Sequence, residues 1–182
     1  MTSAFNDKEI KYLKNYFDFK SISSYSNFEN NIEFKQSIKE KPYFKNNENK
    51  KNEELDFTKV TEFDWGNDII TYSIPYQGES TKYFVSANNE NLLKSFSLEN
   101  LVDRNGNGNI FISTVDNNIK MTFSSGHLVS YEAINKQNSF QDCFQNAENT
   151  MCDDYVGTIA WYTNPQIAIM VATICAIDPD AF

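Results

Sequence analysis

Residue types that active sites commonly need are scarce in this sequence of 182 residues. A single histidine, His127, excludes a metal site built from several imidazoles. Six glycines and four prolines are too few for a low-complexity chain. The sequence also contains no phosphate-cradling glycine loop, no serine-nucleophile elbow and no Cys-x-x-Cys pair, which are recognisable short motifs. These absences predict a protein that is not an enzyme and needs no cofactor.

Basic residues are outnumbered, with 16 Lys and Arg against 25 Asp and Glu and a net charge of −9. Because phosphate binding needs a concentrated basic face, this balance excludes nucleic acid as a partner. The imbalance is uneven along the chain. Residues 1–54 carry ten lysines and nine acids, whereas residues 55–182 carry six basic and sixteen acidic residues. Such asymmetry predicts that the two parts are physically distinct.

A secretory signal peptide is also missing from the N-terminus. The stretch MTSAFNDKEIKYLK has no apolar core of the kind that such a peptide needs. Two interpretations stay open: a cytoplasmic protein, or a sequence that begins after a removed presequence.

Cysteine is rare, and the three cysteines lie in the last forty residues: Cys143, Cys152 and Cys175. An odd number leaves at least one of them outside any disulfide within the chain. Cys143 and Cys152 are nine residues apart, so a small disulfide loop between them is a candidate in an oxidising compartment. The alternative is three reduced thiols that pack as small apolar side chains. A nucleophilic pair of His127 with Cys143 or Cys152 is a further hypothesis.

Residues 1–54 predict two short amphipathic helices and a polar linker. The first helix begins near Asp7, and its apolar residues recur at helical spacing: Ile10, Leu13 and Phe17. The second begins near Ser26, because Glu29 follows at the spacing of a capping box. Its apolar face is predicted to contain Phe28, Ile32 and Ile38. The stretch NNENKKNEEL, residues 46–55, is typical of a solvated linker.

Residues 55–134 predict an antiparallel β-meander domain. Apolar and polar residues alternate in short runs: VTEFDW, IITYSIPY, TKYFVSA, LLKSFSL, NIFISTV, IKMTF and HLVSYEA. Asn, Gly, Asp and Ser separate these runs, which is typical of hairpin turns. About seven strands fit, and flanking helices or curling must cover the apolar face of the sheet. The predicted fold class is therefore α+β, with N-terminal helices, a curled meander and a C-terminal helical hairpin.

Residues 135–182 form a cysteine-containing segment that ends in an apolar stretch. Its run YVGTIAWYTNPQIAIMVATICAI, residues 155–177, contains no charged residue. We predict a hairpin of two helices, over about 151–163 and 165–177, since Asn-Pro favours a turn or a helix start. Three roles stay open: buried core, a hairpin that binds a partner or inserts into a membrane, and a single membrane span. The candidate contact residues are Trp161, Tyr162, Ile167, Ile169, Met170, Val171 and Ile174.

The stretch DRNGNGNIFIS, residues 103–113, begins like a calcium-binding loop. Asp103, Asn105 and Asn107 occupy its first, third and fifth positions, and calcium requires oxygen ligands. However, position twelve is Thr114, which cannot supply the usual bidentate carboxylate. Asn-Gly pairs are also typical of tight turns between strands. We therefore interpret the stretch as a connection between strands, with a weak single-carboxylate calcium site as the alternative.

The central part of the chain, residues 42–132, resembles uncharacterised exported proteins of Bacteroidota. The resemblance rests on the runs PYFKNNE, ELDFTKVTEFDWG, IITYSIPYQG and KYFVS, followed by GNIFIST and DNNIKMTFSSGHLVSYE. Ile74-Pro75 matches the proline that ends a strand in those proteins, whereas Phe57-Thr58-Lys59-Val60 stands where they have a tryptophan-containing run. The resemblance implies a surface lipoprotein or secreted protein whose presequence precedes this sequence, and it implies no activity.

Together these patterns predict a non-catalytic, exported protein of the cell envelope, at the cell surface, at the outer membrane or secreted. Its β-scaffold is predicted to present or pack the apolar hairpin for docking to a protein partner. The alternative is a precursor or antibacterial toxin with a membrane-active C-terminal peptide. Against it, residues 133–182 have one lysine and six acids, whereas such peptides commonly use basic residues. A hydrolase that uses His127 is the third hypothesis.

Overall fold

The structure, a computed structural model, describes the chain apart from residues 1–4, 6, 26–27, 47–49, 51–52, 90, 92, 135–137, 153–160, 162–163 and 179. The described α-helices are α1 (Asp7–Leu13), α2 (Ile32–Lys39), α3 (Pro42–Lys45), α4 (Asn138–Met151) and α5 (Pro165–Ile177), and a 3₁₀ helix covers Phe28–Asn30. The strands are β1 (Ser21–Tyr25), β2 (Val60–Asp64), β3 (Ile70–Pro75), β4 (Lys82–Ala87), β5 (Phe96–Asn100), β6 (Gly108–Ser113), β7 (Asn118–Ser124) and β8 (His127–Ala133). The predicted α+β class is confirmed.

The strands form a sheet in which each lies beside its neighbours in sequence, from β1 to β8. The pairing is antiparallel: Ile22 lies opposite Phe63 in β1–β2, and Met121 lies opposite Tyr131 in β7–β8. This order is the predicted meander. It contains one strand more than the alternation indicated, because β1 lies in the segment assigned to helices. Serines at three of its five positions, SISSY, hide the apolar alternation that identified the other strands.

The chain divides into two compact units, Met1–Ser97 and Leu98–Phe182, which we call the N-terminal unit and the C-terminal unit. Aromatic side chains dominate the core of the N-terminal unit. The Phe84 ring is central, with its centroid 4.7 Å from Phe44 and 5.2 Å from Tyr43. Rings at these separations stabilise a core beyond the effect of buried area. The buried cluster contains Ile38, Tyr43, Phe44, Leu55, Phe57, Val60, Ile74, Tyr76 and Phe84.

Helix α2 differs from its predicted form at its N-terminus. Asn31 is the N-cap, and its Oδ1 accepts a hydrogen bond from the Phe34 amide at 2.9 Å. This cap satisfies an amide of the first turn, which would otherwise lack a partner. With the helix starting at Ile32, that side chain is 76% exposed and not on the predicted apolar face. Ile38 is buried as predicted, and the predicted start at Ser26 lies outside the described residues.

The end of the predicted polar linker is part of the core. Leu55 is buried and forms an isolated β-bridge with Tyr76. The Asp56 amide donates to the Pro75 carbonyl at 2.7 Å, and the Gln77 amide donates to the Glu54 carbonyl at 2.9 Å. These bonds attach the segment beside the end of β3. The linker prediction was wrong at this end. Leu55 is buried and the backbone groups beside it pair with the end of β3, although most of the surrounding residues are polar.

The C-terminal unit contains the helices α4 and α5, of which α4 was not predicted. Its buried apolar residues recur at helical spacing: Phe140, Cys143, Phe144, Ala147 and Met151. Helix α5 has the predicted bounds. Asn164 Oδ1 caps it by accepting the Gln166 amide at 3.1 Å, and Pro165 occupies the first turn. The helix predicted over about 151–163 lies mostly outside the described residues. Among the described helices, none has the length and apolar character needed to cross a membrane.

Candidate binding sites

The apolar residues proposed to contact a partner are mostly core residues. Five of the seven are buried: Trp161, Ile167, Ile169, Met170 and Val171. Ile174 is half-buried, and Tyr162 lies outside the described residues. A helix that is apolar all round has no face for water, so burial of α5 follows from its composition. A partner could contact the four of these side chains that belong to α5 only after the helix had left its place.

Cys143 forms a disulfide with Cys175, and the predicted pair with Cys152 was wrong. The bonded cysteines have Cα atoms 5.7 Å apart, within the usual range for a disulfide. Cys143 lies within α4 and Cys152 directly follows it, and nine residues of helix separate two Cα atoms by about 13 Å, which no disulfide spans. The bond therefore joins α4 to α5.

The hydrolase hypothesis loses one of its two candidate nucleophiles. The sulfur of Cys143 is bonded to Cys175, and a disulfide sulfur cannot act as a thiolate. His127 is exposed at the start of β8, opposite Ser124. Cys152 is half-buried after the last turn of α4. What remains of the hypothesis is a pair of His127 with Cys152.

The Asp103 loop uses its side-chain oxygens to hold its own backbone. Asp103 Oδ1 accepts the amides of Asn105 at 2.8 Å and of Asn107 at 2.9 Å. Asn107 Oδ1 accepts the amide of Ser125, in the turn between β7 and β8, at 3.0 Å. Two of the three candidate calcium ligands are thus engaged with backbone N–H groups. In the described part of the chain, no three Asp, Glu, His or Cys residues are grouped so as to hold a metal ion.

Glycine allows this loop to touch its neighbours. Gly106 has φ +73°, and a Cβ there would collide with the backbone of Gly126. At Gly108 a Cβ would collide with the Leu101 carbonyl. The Gly126 amide donates to the Gly106 carbonyl at 3.0 Å, which fixes the two turns to each other. The repeated Asn-Gly pattern therefore encodes contact between two loops, consistent with the connecting role interpreted from the sequence.

A network of lysine, tyrosine and glutamate in the N-terminal unit was not indicated by the sequence. Lys82 Nζ lies 2.9 Å from Glu53 Oε1 and 4.3 Å from the centroid of the Tyr76 ring. Lys50 Nζ lies 4.1 Å from the centroid of the Tyr43 ring. Ammonium groups over aromatic faces are attracted by the ring quadrupole. Each of the two tyrosines therefore holds one lysine, and Lys82 is also paired with Glu53.

The Tyr76 hydroxyl is a buried polar group of this network. It lies close to Tyr43 and Glu53 but outside hydrogen-bonding geometry with either. Burial, and next the neighbouring Tyr43 and Glu53, raise the pKa of Tyr76 far above its ordinary value. The Tyr43 hydroxyl donates to Ser97 Oγ at 2.7 Å instead. Tyr76 therefore stays neutral at physiological pH, which suits a structural role better than proton transfer.

A depression of about 260 Å³ opens beside the network and is lined by Lys39, Phe44, Lys45 and Glu53. Lys39 and Lys45 are the last residues of α2 and α3. Phe44 belongs to the buried aromatic cluster and supplies apolar surface. Glu53 Oε2 is buried and accepts no hydrogen bond. Among the described residues, the depression is thus lined by two lysines, a nearly buried aromatic ring and the side chain of Glu53.

Local sequence patterns could not identify this site. In the sequence, Lys39, Lys45 and Glu53 resemble the charged residues that are common at helix ends and in linkers. Tyr76 and Lys82 come from the end of β3 and the start of β4. The adjacent aromatic pair Tyr43-Phe44, placed directly after Pro42, was the available sign that residues 42–45 enter the core.

The fold defines an α+β protein with an antiparallel meander and a disulfide-linked pair of C-terminal helices. No family model matches the chain, and it matches neither a curated protein nor a solved structure. The resemblance to exported proteins of Bacteroidota therefore stays a prediction.

Proposed function

We propose that the protein is a non-catalytic, extracytoplasmic protein of the cell envelope that binds an extended segment of a basic partner protein along β8. The observation that carries this proposal is the open edge of β8. In the part of the chain that the structure describes, β8 pairs with β7 and with no other strand. An edge strand offers a row of backbone N–H and C=O groups that an added strand can complete.

Exposed apolar residues bracket a regular part of this edge. Val129 is 61% exposed and Ile134 is 70% exposed. Between them, Ser130–Ala133 pairs in regular register with β7. The register shifts between Thr122 and Phe123, so that Val129 is an additional residue that bulges from β8. A partner strand beside Ser130–Ala133 would cover backbone groups and find an apolar side chain at each end.

The charge of the C-terminal unit specifies the kind of partner. Residues 98–182 contain three basic and ten acidic residues. Glu132 lies within the regular edge with its side chain 65% exposed, and its ion pair with Lys120 is long, at 3.8 Å. Such exposed pairs contribute little, so a lysine or arginine of the partner can compete for Glu132. Complementary charge also accelerates association, which favours a basic partner.

The Cys143–Cys175 disulfide supports the extracytoplasmic part of the proposal. Disulfides persist in oxidising compartments and are rare in the reducing cytosol. The test is to trap thiols at the moment of cell lysis and to count modified cysteines by mass spectrometry. We expect one modified cysteine, Cys152, in protein recovered from its native cells. Three modified cysteines would contradict an oxidising compartment.

The docking test compares three versions of the full chain as baits on cell-envelope extracts: wild type, Val129→Lys and Ile32→Lys. Ile32 is 76% exposed on α2, so Ile32→Lys is a matched control for placing a lysine at an exposed apolar site. We expect one protein that wild type and Ile32→Lys capture equally and that Val129→Lys captures roughly tenfold less, because a lysine on an edge opposes strand addition.

Capture identifies a candidate, and hydrogen exchange then tests the mode of binding. With the purified candidate, the amides of Ser130–Ala133 should exchange more slowly, because outward-facing groups of an edge strand gain hydrogen bonds when a strand is added. Equal capture by all three baits, or protection confined to residues outside β8, would contradict the proposal.

The competing toxin proposal has one supporting observation: a single disulfide links the apolar helix α5 to α4. Reduction would remove that link and favour release of α5. The test is leakage of dye from anionic vesicles mixed with the reduced full chain and, as control, with the oxidised chain. Leakage after reduction alone would favour the toxin over the docking protein. Intact vesicles in both mixtures would eliminate it.

A further inference from the structure

We propose that Asn105 is a site of spontaneous chemical modification, at which the side chain loses its amide nitrogen and becomes aspartate or isoaspartate. The reaction favours an asparagine followed by glycine, because the backbone nitrogen of the next residue must approach the side-chain carbonyl carbon closely. Two such pairs, Asn105-Gly106 and Asn107-Gly108, follow each other in the connection between β5 and β6. Their hydrogen bonds differ, and this difference selects Asn105. The proposal does not depend on whether β8 binds a partner.

The reaction consumes water and releases ammonia. The Gly106 backbone nitrogen gives up its proton to solvent and attacks Cγ, the side-chain carbonyl carbon of Asn105. A bond forms between this nitrogen and Cγ, the bond between Cγ and Nδ2 breaks, and ammonia leaves with a proton taken from solvent. Water then opens the resulting succinimide ring at either of its carbonyl carbons. Opening at one carbon gives aspartate, opening at the other gives isoaspartate, and no oxidant or reductant takes part.

The side chain of Asn105 can rotate into the position that this attack needs. It is exposed and makes no hydrogen bond with the described residues, because the backbone amide of Asn105, not its side chain, donates to Asp103 Oδ1 at 2.8 Å. The Gly106 amide donates to the Asp103 carbonyl at 3.0 Å, within the same turn. Rotation of the peptide plane between Asn105 and Gly106 breaks that bond and frees the attacking nitrogen. The Gly106 carbonyl belongs to the next peptide plane, so its bond with the Gly126 amide can persist.

Asn107 is also exposed, but hydrogen bonds hold both its side chain and its backbone. Its Oδ1 accepts the Ser125 amide at 3.0 Å. Its own amide donates to Asp103 Oδ1 at 2.9 Å, and its carbonyl accepts the Asp103 amide at 2.8 Å. Gly108 begins β6 and lies opposite Phe123 in β7, so its nitrogen is held at the start of a strand. Attack on Asn107 therefore requires a larger local opening than attack on Asn105.

Isoaspartate at position 105 changes the contact between two turns. It places an additional carbon atom in the main chain directly before Gly106. Gly106 cannot move closer to Gly126, because a Cβ added to Gly106 would lie 2.4 Å from the Gly126 nitrogen. The added length therefore moves Gly106 away from Gly126 and breaks the bond of 3.0 Å that the Gly126 amide donates to the Gly106 carbonyl. The modification thus loosens the turn between β7 and β8.

A time course of the full chain in warm, mildly alkaline buffer tests the site, and the chain in urea is the control. Mass spectrometry of fragmented peptides assigns each modified residue. We expect the folded chain to modify Asn105 at least about tenfold faster than Asn107, because each additional hydrogen bond opposes the opening that attack requires. In urea these bonds are lost, and the two rates should be similar. Similar rates in the folded chain, or an unmodified Asn105 there, would overturn the proposal.

Hydrogen exchange at Gly126 tests the structural consequence, and Asn105→Gln is the control. Glutamine carries the same amide but would have to form a larger ring, which is much slower, and the exposed position allows the variant to fold. We expect the Gly126 amide of wild type to exchange at least about fivefold faster after the incubation, and that of Asn105→Gln to stay unchanged. Unchanged exchange in wild type that contains isoaspartate would contradict the displacement of Gly106. Equally faster exchange in incubated Asn105→Gln would show that Asn105 is not the cause.

Discussion

The N-terminal unit holds thirteen lysines and no cysteine, whereas the C-terminal unit holds three basic residues and the three cysteines. The first is built around a cluster of aromatic rings centred on Phe84. The second has an apolar helix, α5, that a disulfide joins to α4. Strands of similar length occur in both units. The difference between them lies in what stabilises the helices and connecting segments.

Lysine side chains have a structural role in the N-terminal unit. Lys35 Nζ lies 5.4 Å from the centroid of Phe57, beside the comparable contacts of Lys50 with Tyr43 and of Lys82 with Tyr76. Their aliphatic stems cover apolar surface while the ammonium groups stay near water. The lysine-rich segment therefore covers an aromatic core, whereas the C-terminal unit depends on apolar burial and a covalent bond. This contrast makes separate predictions for the two units.

The largest expected effect is that of Phe84→Ala. Phe84 is 0% exposed and contacts the rings of Tyr43 and Phe44, so its removal leaves a cavity in the aromatic cluster. We expect a loss of about 3–5 kcal/mol in the free energy of unfolding, measured by urea denaturation. The matched control is Ile32→Ala, where the side chain is 76% exposed and a change below about 0.5 kcal/mol is expected.

The two tryptophans allow the loss to be assigned to a unit. Trp65 lies in the N-terminal unit, and Trp161 lies buried in the C-terminal unit. In a Trp161→Phe background, fluorescence reports Trp65, and in a Trp65→Phe background it reports Trp161. We expect Phe84→Ala to move the Trp65 transition to lower urea by more than the Trp161 transition. Equal shifts would mean a single unfolding transition, and the contrast between the units would fail.

The next largest effect is loss of the disulfide. Cys143 and Cys175 are 32 residues apart, and the chain-entropy relation gives about 3–4 kcal/mol for a loop of that length. We expect Cys143→Ser/Cys175→Ser to lose a free energy of this size, with the larger shift in the Trp161 transition. Cys152→Ser is the control, because it removes a thiol outside the bond. A larger loss for Cys152→Ser than for the double variant would contradict the assigned pairing.

Much of the fold could be predicted because the strands carry their own signal. In β7, Ile119, Met121 and Phe123 alternate with more exposed residues, and the sequence shows the same alternation. The first residue of α5 follows from Asn164-Pro165 because capping chemistry is local. Strand β1 and helix α4 were missed for opposite reasons. Serine hides the apolar–polar alternation in β1. In α4 the apolar residues do recur at helical spacing, but many polar residues lie between them.

The sites were less predictable because they depend on contacts between distant residues. Cys143 could be paired with either of two cysteines until the helical path of α4 was known. The apolar run around Ile169 predicted burial and docking equally well, since both need an apolar surface. The depression brings Glu53 beside α2 and α3 only after Leu55 bridges Tyr76. No pattern of spacing in the sequence predicts the bridge between Leu55 and Tyr76.

The smallest expected effect is a dependence of stability on pH through Asp56 in the N-terminal unit. The Thr58 hydroxyl and amide donate to Asp56 Oδ1, and Lys59 Nζ lies 3.2 Å from Oδ2. These interactions, the Thr58 hydroxyl first, lower the pKa of Asp56 below its ordinary value of 3.8. A lowered folded-state pKa means that the carboxylate stabilises the fold above the unfolded-state pKa. That contribution is lost as the pH falls through the folded-state value.

Asp56→Asn removes this titration, so the variant should lose less stability than wild type between about pH 6 and about pH 3. The measurement is the urea midpoint at the two pH values, reported by Trp65 in the Trp161→Phe background. The control is Asp18→Asn, which changes an exposed aspartate in the same unit and against which the effect of Asp56→Asn is compared. If Trp161 reported the same difference in urea midpoint between Asp56→Asn and wild type, protonation of Asp56 would destabilise both units. The two units would then not differ in this electrostatic contribution. A pH dependence unchanged by Asp56→Asn would show that the Thr58 and Lys59 contacts do not persist in solution.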